Sequence, residues 1–175
     1  MNPATLEAPP ARYEHKELLG DDGLWARVTA RIRKDHEFQS RFGEMDESDQ
    51  INWSECIFNE TIGFLKFCSL GVGSFGPSPL VDIGWHTFML YSRDYTDFCE
   101  DLCGTYIHHE PTDDPTMVHE SHEPDATPNA MIANGIAVNN ELWEGLDHSR
   151  CGPTDPSATR CQGSCRNGCK SSCRG

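Results

Sequence analysis

The chain has 175 residues, 37% of them hydrophobic and 24% charged, with a formal net charge of −14. That suits one domain with a modest core and some tail. A body this acidic repels phosphate backbones, and no apolar run approaches the roughly 18 residues of a membrane span, so neither nucleic acid nor membrane is an expected partner.

The first stretch, "MNPATLEAPPARYEHKELLGDDG", has no apolar signal core, and the expected compartment is the cytoplasm. Nine cysteines in a reducing compartment argue for thiol-based metal binding, redox chemistry or plain burial rather than a disulfide scaffold. Residues 1–22 are polar and proline-bearing and read as a disordered N-terminal segment. A helical domain is expected over 23–143 and a Cys/Gly/Ser-rich basic tail over 144–175.

The first helix is expected from Gly23, with Leu24, Trp25, Val28, Ile32 and His36 on one face. After the acidic turn "GEMDESDQ", a stronger helix spans Ile51–Leu70. Its broad apolar arc includes Trp53, Ile57, Phe58, Ile62, Phe64 and Leu65, with Asn52, Glu55, Asn59 and Lys66 on the wet side. Cys56 and Cys68 read as small core hydrophobes. "GVGSFGPSP" is a loop, and Ser78 followed by Pro79 opens a helix over 79–91 as N-cap and first helical residue. Ser92 is the expected N-cap of a further helix over 93–103, which Gly104 ends. A long acidic loop follows, then a short helix from Thr127-Pro128 to Gly135. "IAVNNELW" returns apolar anchors to the core through Ile136, Val138, Leu142 and Trp143. No run shows period-2 alternation. The fold class is all-α: a small irregular bundle of about four to five helices between a disordered N-terminus and a Cys-rich tail.

The helix over 79–91 places Asp82 and His86 four residues apart, between an apolar flank of Val81, Trp85, Phe88 and Met89 and another of Ile83 and Leu90. Gly84, Thr87 and Tyr91 take the opposite, exposable side. A carboxylate and an imidazole side by side on a largely buried face require partners. Either they form a satisfied core hydrogen bond, or the acid orients a histidine that is a metal ligand or general base. If the chain reverses at Ser92, "TYIHH" returns toward this helix and brings His108 or His109 near His86; neighbouring histidines point different ways, so one of the two turns inward. Asp82, His86 and His108 or His109 then form a first candidate metal site, for zinc or iron with open coordination positions. A structural histidine cluster is the competing reading. Cys99 and Cys103, and the loop histidines His119 and His122, are weaker candidates.

The stretch "PSPLVDIGWHTFMLYSRDYTDFCEDLCGTYIHHEPTDD" carries an acid, then Trp-His, then Tyr-x-x-Phe-Cys, then His-His-x-Pro after a glycine. The positions are Asp82, Trp85, His86, Tyr95, Phe98, Cys99, Gly104, His108, His109 and Pro111. This pattern resembles small bacterial glycine-rich domain-containing proteins, which are related to the N-terminal region of plant glycine-rich domain proteins. The resemblance covers roughly 50–150 and implies a fold but no reaction. The tail departs from a glycine-rich one by being richer in cysteine and serine.

That tail, "CQGSCRNGCKSSCRG", places Cys161, Cys165, Cys169 and Cys173 at every fourth residue, unlike the paired C-x2-C knuckles of a zinc ribbon. It reads as a second candidate site, capturing zinc or copper(I); as the core of a modified ribosomal-peptide precursor with a globular leader; or as a disordered, redox-sensitive segment. Residues 150–175 hold Arg150, Arg160, Arg166, Lys170 and Arg174 against Asp155 alone. This basic tail suits an acidic protein partner or the acidic body itself. The leading expectation is a soluble helical protein that binds a divalent metal through the Trp-His/His-His motif and the tail thiols. A metal-dependent enzyme using the same histidine cluster and a purely structural or interaction domain are the alternatives, and whether any reaction is catalysed is left open.

Overall fold

The computed structural model describes residues 13–109, 126–143 and the backbone of 169–170. Six α-helices lie among them: α1 (Asp22–Ile32), α2 (His36–Phe42), α3 (Glu47–Ser69), α4 (Pro79–Met89), α5 (Ser92–Cys103) and α6 (Ala126–Ala133). The strands described, β1 (His108–His109) and β2 (Cys169–Lys170), form one short antiparallel pair. The all-α small bundle is therefore the architecture. No helix among the described residues is long and apolar enough to cross a membrane.

Side-chain caps set most helix starts. Asp21 accepts from the Leu24 N–H at 2.8 Å, Asp46 from the Asp49 N–H at 2.9 Å, and Ser78 from the Val81 N–H at 3.2 Å ahead of Pro79. Asp35 accepts from the N–H groups of Glu37 and Phe38. That cap corrects the expected single helix through His36. The chain breaks at Arg33-Lys34 and restarts as α2, leaving His36 exposed while Phe38 and Phe42 enter the core. Ser92 is likewise the first residue of α5 rather than its cap. The turn is made one residue earlier at Tyr91, whose hydroxyl donates to the Arg27 carbonyl of α1 at 3.2 Å.

α3 is the axis of the bundle, buried on almost every side from Trp53 to Cys68, as a helix enclosed by its neighbours must be. It packs most extensively on α4. The close approach depends on Gly84, where a Cβ would run into the Thr61 hydroxyl and the Ile57 methyl. Thr61 Oγ1 in turn lies 2.8 Å from the Ile57 carbonyl and 3.1 Å from the Val81 carbonyl, so one proton serves both helices. Gly84 and Thr87, expected on the exposable side, are thus buried, and Leu90 rather than either is exposed.

The expectation of disorder through residue 22 is corrected from Tyr13 onward. Its hydroxyl donates to Glu55 at 2.6 Å, and the His15 main-chain N–H donates to Asn59 at 3.0 Å. The buried His15 ring lies with Nε2 2.9 Å from the Ala137 carbonyl. The N-terminal segment and the strap over 136–143 therefore meet on α3. That contact also explains why Asn59, expected on the wet side, is buried.

A candidate metal centre on α4

Asp82 and His86 stand one turn apart on α4, with His86 Nδ1 3.5 Å from Asp82 Oδ2. The expectation that both are largely buried needs correction. The Asp82 side chain is 14% exposed, but the His86 side chain is 55% exposed. Trp85, Phe88, Gly84 and Thr87 take the buried arc, which leaves this pair on the one narrow strip of the helix open to solvent.

The third member arrives from beyond α5. Gly104 ends that helix with φ 74°, a left-handed turn that glycine adopts without strain, and sends the chain back toward α4. The return is fixed by one buried hydroxyl. Tyr95 donates to the Ile107 carbonyl at 2.6 Å and accepts from Trp85 Nε1–H at 2.9 Å. Burial, with Cys99 beside it, pushes the Tyr95 pKa up, so the phenol keeps the proton it donates. Ile107 is buried, and the next two residues point apart. His108 is exposed and stacks on Tyr106 at 4.8 Å between ring centroids. His109 packs on Trp85 at 4.4 Å and on His86 at 4.5 Å. Its Nε2 lies 2.7 Å from Asp82 Oδ1, and its side chain is 7% exposed. Of the adjacent histidines, His109 is the one that turns inward.

Asp82, His86 and His109 each offer one donor atom, and the three lie within 4.8 Å of one another. A tetrahedral ion with bonds of 2.0–2.1 Å sets neighbouring donors about 3.4 Å apart. The Asp82–His86 separation of 3.5 Å already meets that requirement. The 2.7 Å contact between Asp82 and His109 is instead a hydrogen bond, which needs a proton between its atoms. An ion entering here either displaces that proton or uses the other ring nitrogen of His109 with Asp82 hydrogen-bonded behind it.

The other thiols and acids contribute less. Cys56, Cys68 and Cys99 are buried, Cys103 is half-buried, and none forms a disulfide among the described residues. Burial and then Glu55 push the Cys56 thiol up to about 11, which disfavours a thiolate ligand there. His119, His122, Cys161, Cys165 and Cys173 lie outside the described residues, and Cys169 is described by its backbone alone.

A feature missed in the sequence is Glu60 at the middle of α3. It is 1% exposed, and its carboxylate accepts from Trp143 Nε1–H at 2.6 Å and from the Asn139 N–H at 3.1 Å. Burial pushes its pKa up to about 7 against the opposing effect of those two donors. The apolar returns at Ile136 and Trp143 signal a docking segment, but nothing in the sequence singles out Glu60 as the group that receives it.

No curated protein and no solved structure matches the chain. The UCP032817-like family model matches residues 36–126, a span that runs from the start of α2 to the first residue of α6 and includes Asp82, His86 and His109. With more than half of its length covered by that match, the chain belongs to the UCP032817-like family.

Proposed function

We propose that the chain binds one divalent transition metal through Asp82, His86 and His109. Zinc and iron are the ions that two imidazoles and a carboxylate suit best. The observation that carries the reading is the convergence of three donor atoms within 4.8 Å, two on one turn of α4 and one delivered by β1. Metal analysis of untagged, reduced protein tests it. The expected result is one equivalent of metal per chain, lowered by both His86→Ala and Asp82→Asn. Stoichiometric metal that neither variant changes, or none in any of the three proteins, would sink the proposal.

A metal-dependent enzyme is the second reading, favoured by the half-exposed His86 side chain. An ion held there from one side keeps positions for water or substrate, and bound water acidified by the ion would be the reactive group. The relationship to glycine-rich domain proteins is proposed alongside. It is supported by the gathering of Asp82, Trp85, His86, Tyr95 and His109, all motif positions, at one seam between α4, α5 and β1.

A further inference from the structure

Adjacent residues of α3 hold two different segments. Asn59 accepts from the His15 main-chain N–H, and Glu60 accepts from the Asn139 N–H and from Trp143 Nε1–H. The strap over 136–143 has one regular element, the three-residue 3-10 turn Asn140–Leu142. It is seated by buried Ile136, Leu142 and Trp143, by the His15 ring against the Ala137 carbonyl, and by Glu60. The two acceptors on α3 differ in kind. An amide such as Asn59 keeps its contact at every pH. Glu60 is 1% exposed and must either keep a proton or carry a buried charge. Both of its donors belong to the strap, so a strap that lifts away leaves the carboxylate to water.

We infer that the strap is a proton-operated clasp, whose closure on α3 is tight while Glu60 is protonated and weakens as Glu60 ionises. The inference needs no metal at the α4 cluster. With the strap closed, burial outweighs the Trp143 and Asn139 donors and pushes the Glu60 pKa up to about 7, against an ordinary 4.5 in water. The closed form therefore holds the extra proton between these values. Closure is strongest below pH 4.5, weakens about tenfold per pH unit through the window and levels off above pH 7. The other titratable groups that meet Glu60 or the strap among the described residues are Glu14 and His15, Cys56 one turn earlier on α3, and Glu141. Glu14 opposes ionisation of Glu60, and the Cys56 thiol, pushed up to about 11, keeps its proton throughout the window. Release uncovers Phe64, whose ring centroid lies 6.1 Å from that of Trp143 and 5.5 Å from that of Trp85. The apolar surface set free is thus one ring away from the tryptophan on which His109 packs.

Hydrogen exchange of the full-length protein, followed by NMR from pH 5 to 8 and normalised to intrinsic rates, tests the inference. The Asn139 amide and the Trp143 indole N–H report opening of the strap, and the amides of Ile57–Leu65 report opening of α3. The strap protons are expected to be at least about tenfold less protected than those of α3 at every pH, since local opening costs less than global unfolding. In the wild type their protection should fall by about 50–100-fold across the range and level off above pH 7. In Glu60→Gln that fall should disappear. Strap protons protected as well as those of α3 would mean that the strap leaves only when the whole chain unfolds, and would overturn the clasp. A flat wild-type profile overturns the role of the proton without recourse to the variant. A fall retained in Glu60→Gln assigns it to His15 or another group and equally overturns the inference.

Discussion

Substituting Glu60→Gln should remove a pH dependence of stability whose size and sign follow from the geometry. The carboxyl is buried inside α3, receives only the Trp143 and Asn139 donors, and has Glu14 as a repelling neighbour, so its pKa rises from an ordinary 4.5 to about 7. Between those values the folded chain holds a proton that the unfolded chain has released. Folding stability therefore falls as pH rises through this window, and the loss is complete above pH 7. At about 1.4 kcal/mol for each pH unit, the window corresponds to a loss of about 3 kcal/mol. Glutamine cannot titrate. Its amide reproduces the acceptor facing Trp143 but sets an N–H₂ against the Asn139 N–H, a constant penalty of about 1 kcal/mol that does not vary with pH. Urea unfolding of both proteins, followed by tryptophan fluorescence from pH 4.5 to 8, isolates the effect, because every other titrating group cancels in the difference. The variant should gain about 3 kcal/mol on the wild type across the range. Parallel stability curves would refute a buried, proton-holding Glu60.

Three further substitutions probe the seam and the α3–α4 contact. Tyr95→Phe strands the buried Trp85 N–H and Ile107 carbonyl and should cost about 2–4 kcal/mol by chemical denaturation. Gly84→Ala should destabilise by about 1–3 kcal/mol through collision with Thr61, with part of the loss recovered when Thr61→Ala is added. His86→Ala should change stability by less than about 0.5 kcal/mol, because its side chain is half exposed, while lowering metal content measured on the same sample.

The local grammar of the chain was legible where single residues act on their own backbone. Ser78-Pro79 opening α4 and Gly104 closing α5 depend on capping chemistry that operates within one turn. The helical class followed from periodicity for the same reason. What escaped the sequence depends on the neighbour. Gly84 and Thr87 look like an exposable face because they are small or polar, yet smallness is what lets α3 and α4 approach, and Thr61 answers it from the other helix. The apolar periodicity of α1 ran on through His36 because Asp35 terminates it by capping the next helix, not by breaking the pattern. Glu60 is hidden for a further reason. A carboxylate in a long helix reads as surface until a segment more than seventy residues away brings Trp143 and Asn139 to it. The candidate site was legible in composition, since Asp82, His86 and the histidine pair were all visible. The choice of His109 over His108 was not, because strand direction beyond Gly104 decides it.

That choice shows how the site is assembled. Asp82 and His86 share one helical turn, so their separation is held by the α4 backbone, and α4 is braced on α3 at Gly84 and Thr61. His109 has no such support from its own element, because β1 is two residues long. It is positioned by what precedes it: the Tyr95 hydroxyl grips the Ile107 carbonyl two residues earlier, and the same hydroxyl is held by Trp85, on which the His109 ring packs. Trp85 lies between Asp82 and His86 in the chain and also meets Phe64 of α3, which touches Trp143 in the strap that docks on Glu60. The third donor is therefore the one whose place depends on tertiary structure. A metal that binds all three stabilises the α5–β1 return as well as the α4 pair, and loss of the Tyr95 hydroxyl should loosen His109 before it disturbs Asp82 or His86. The phenol that carries no charge and touches none of the three donors directly is the group on which their convergence rests.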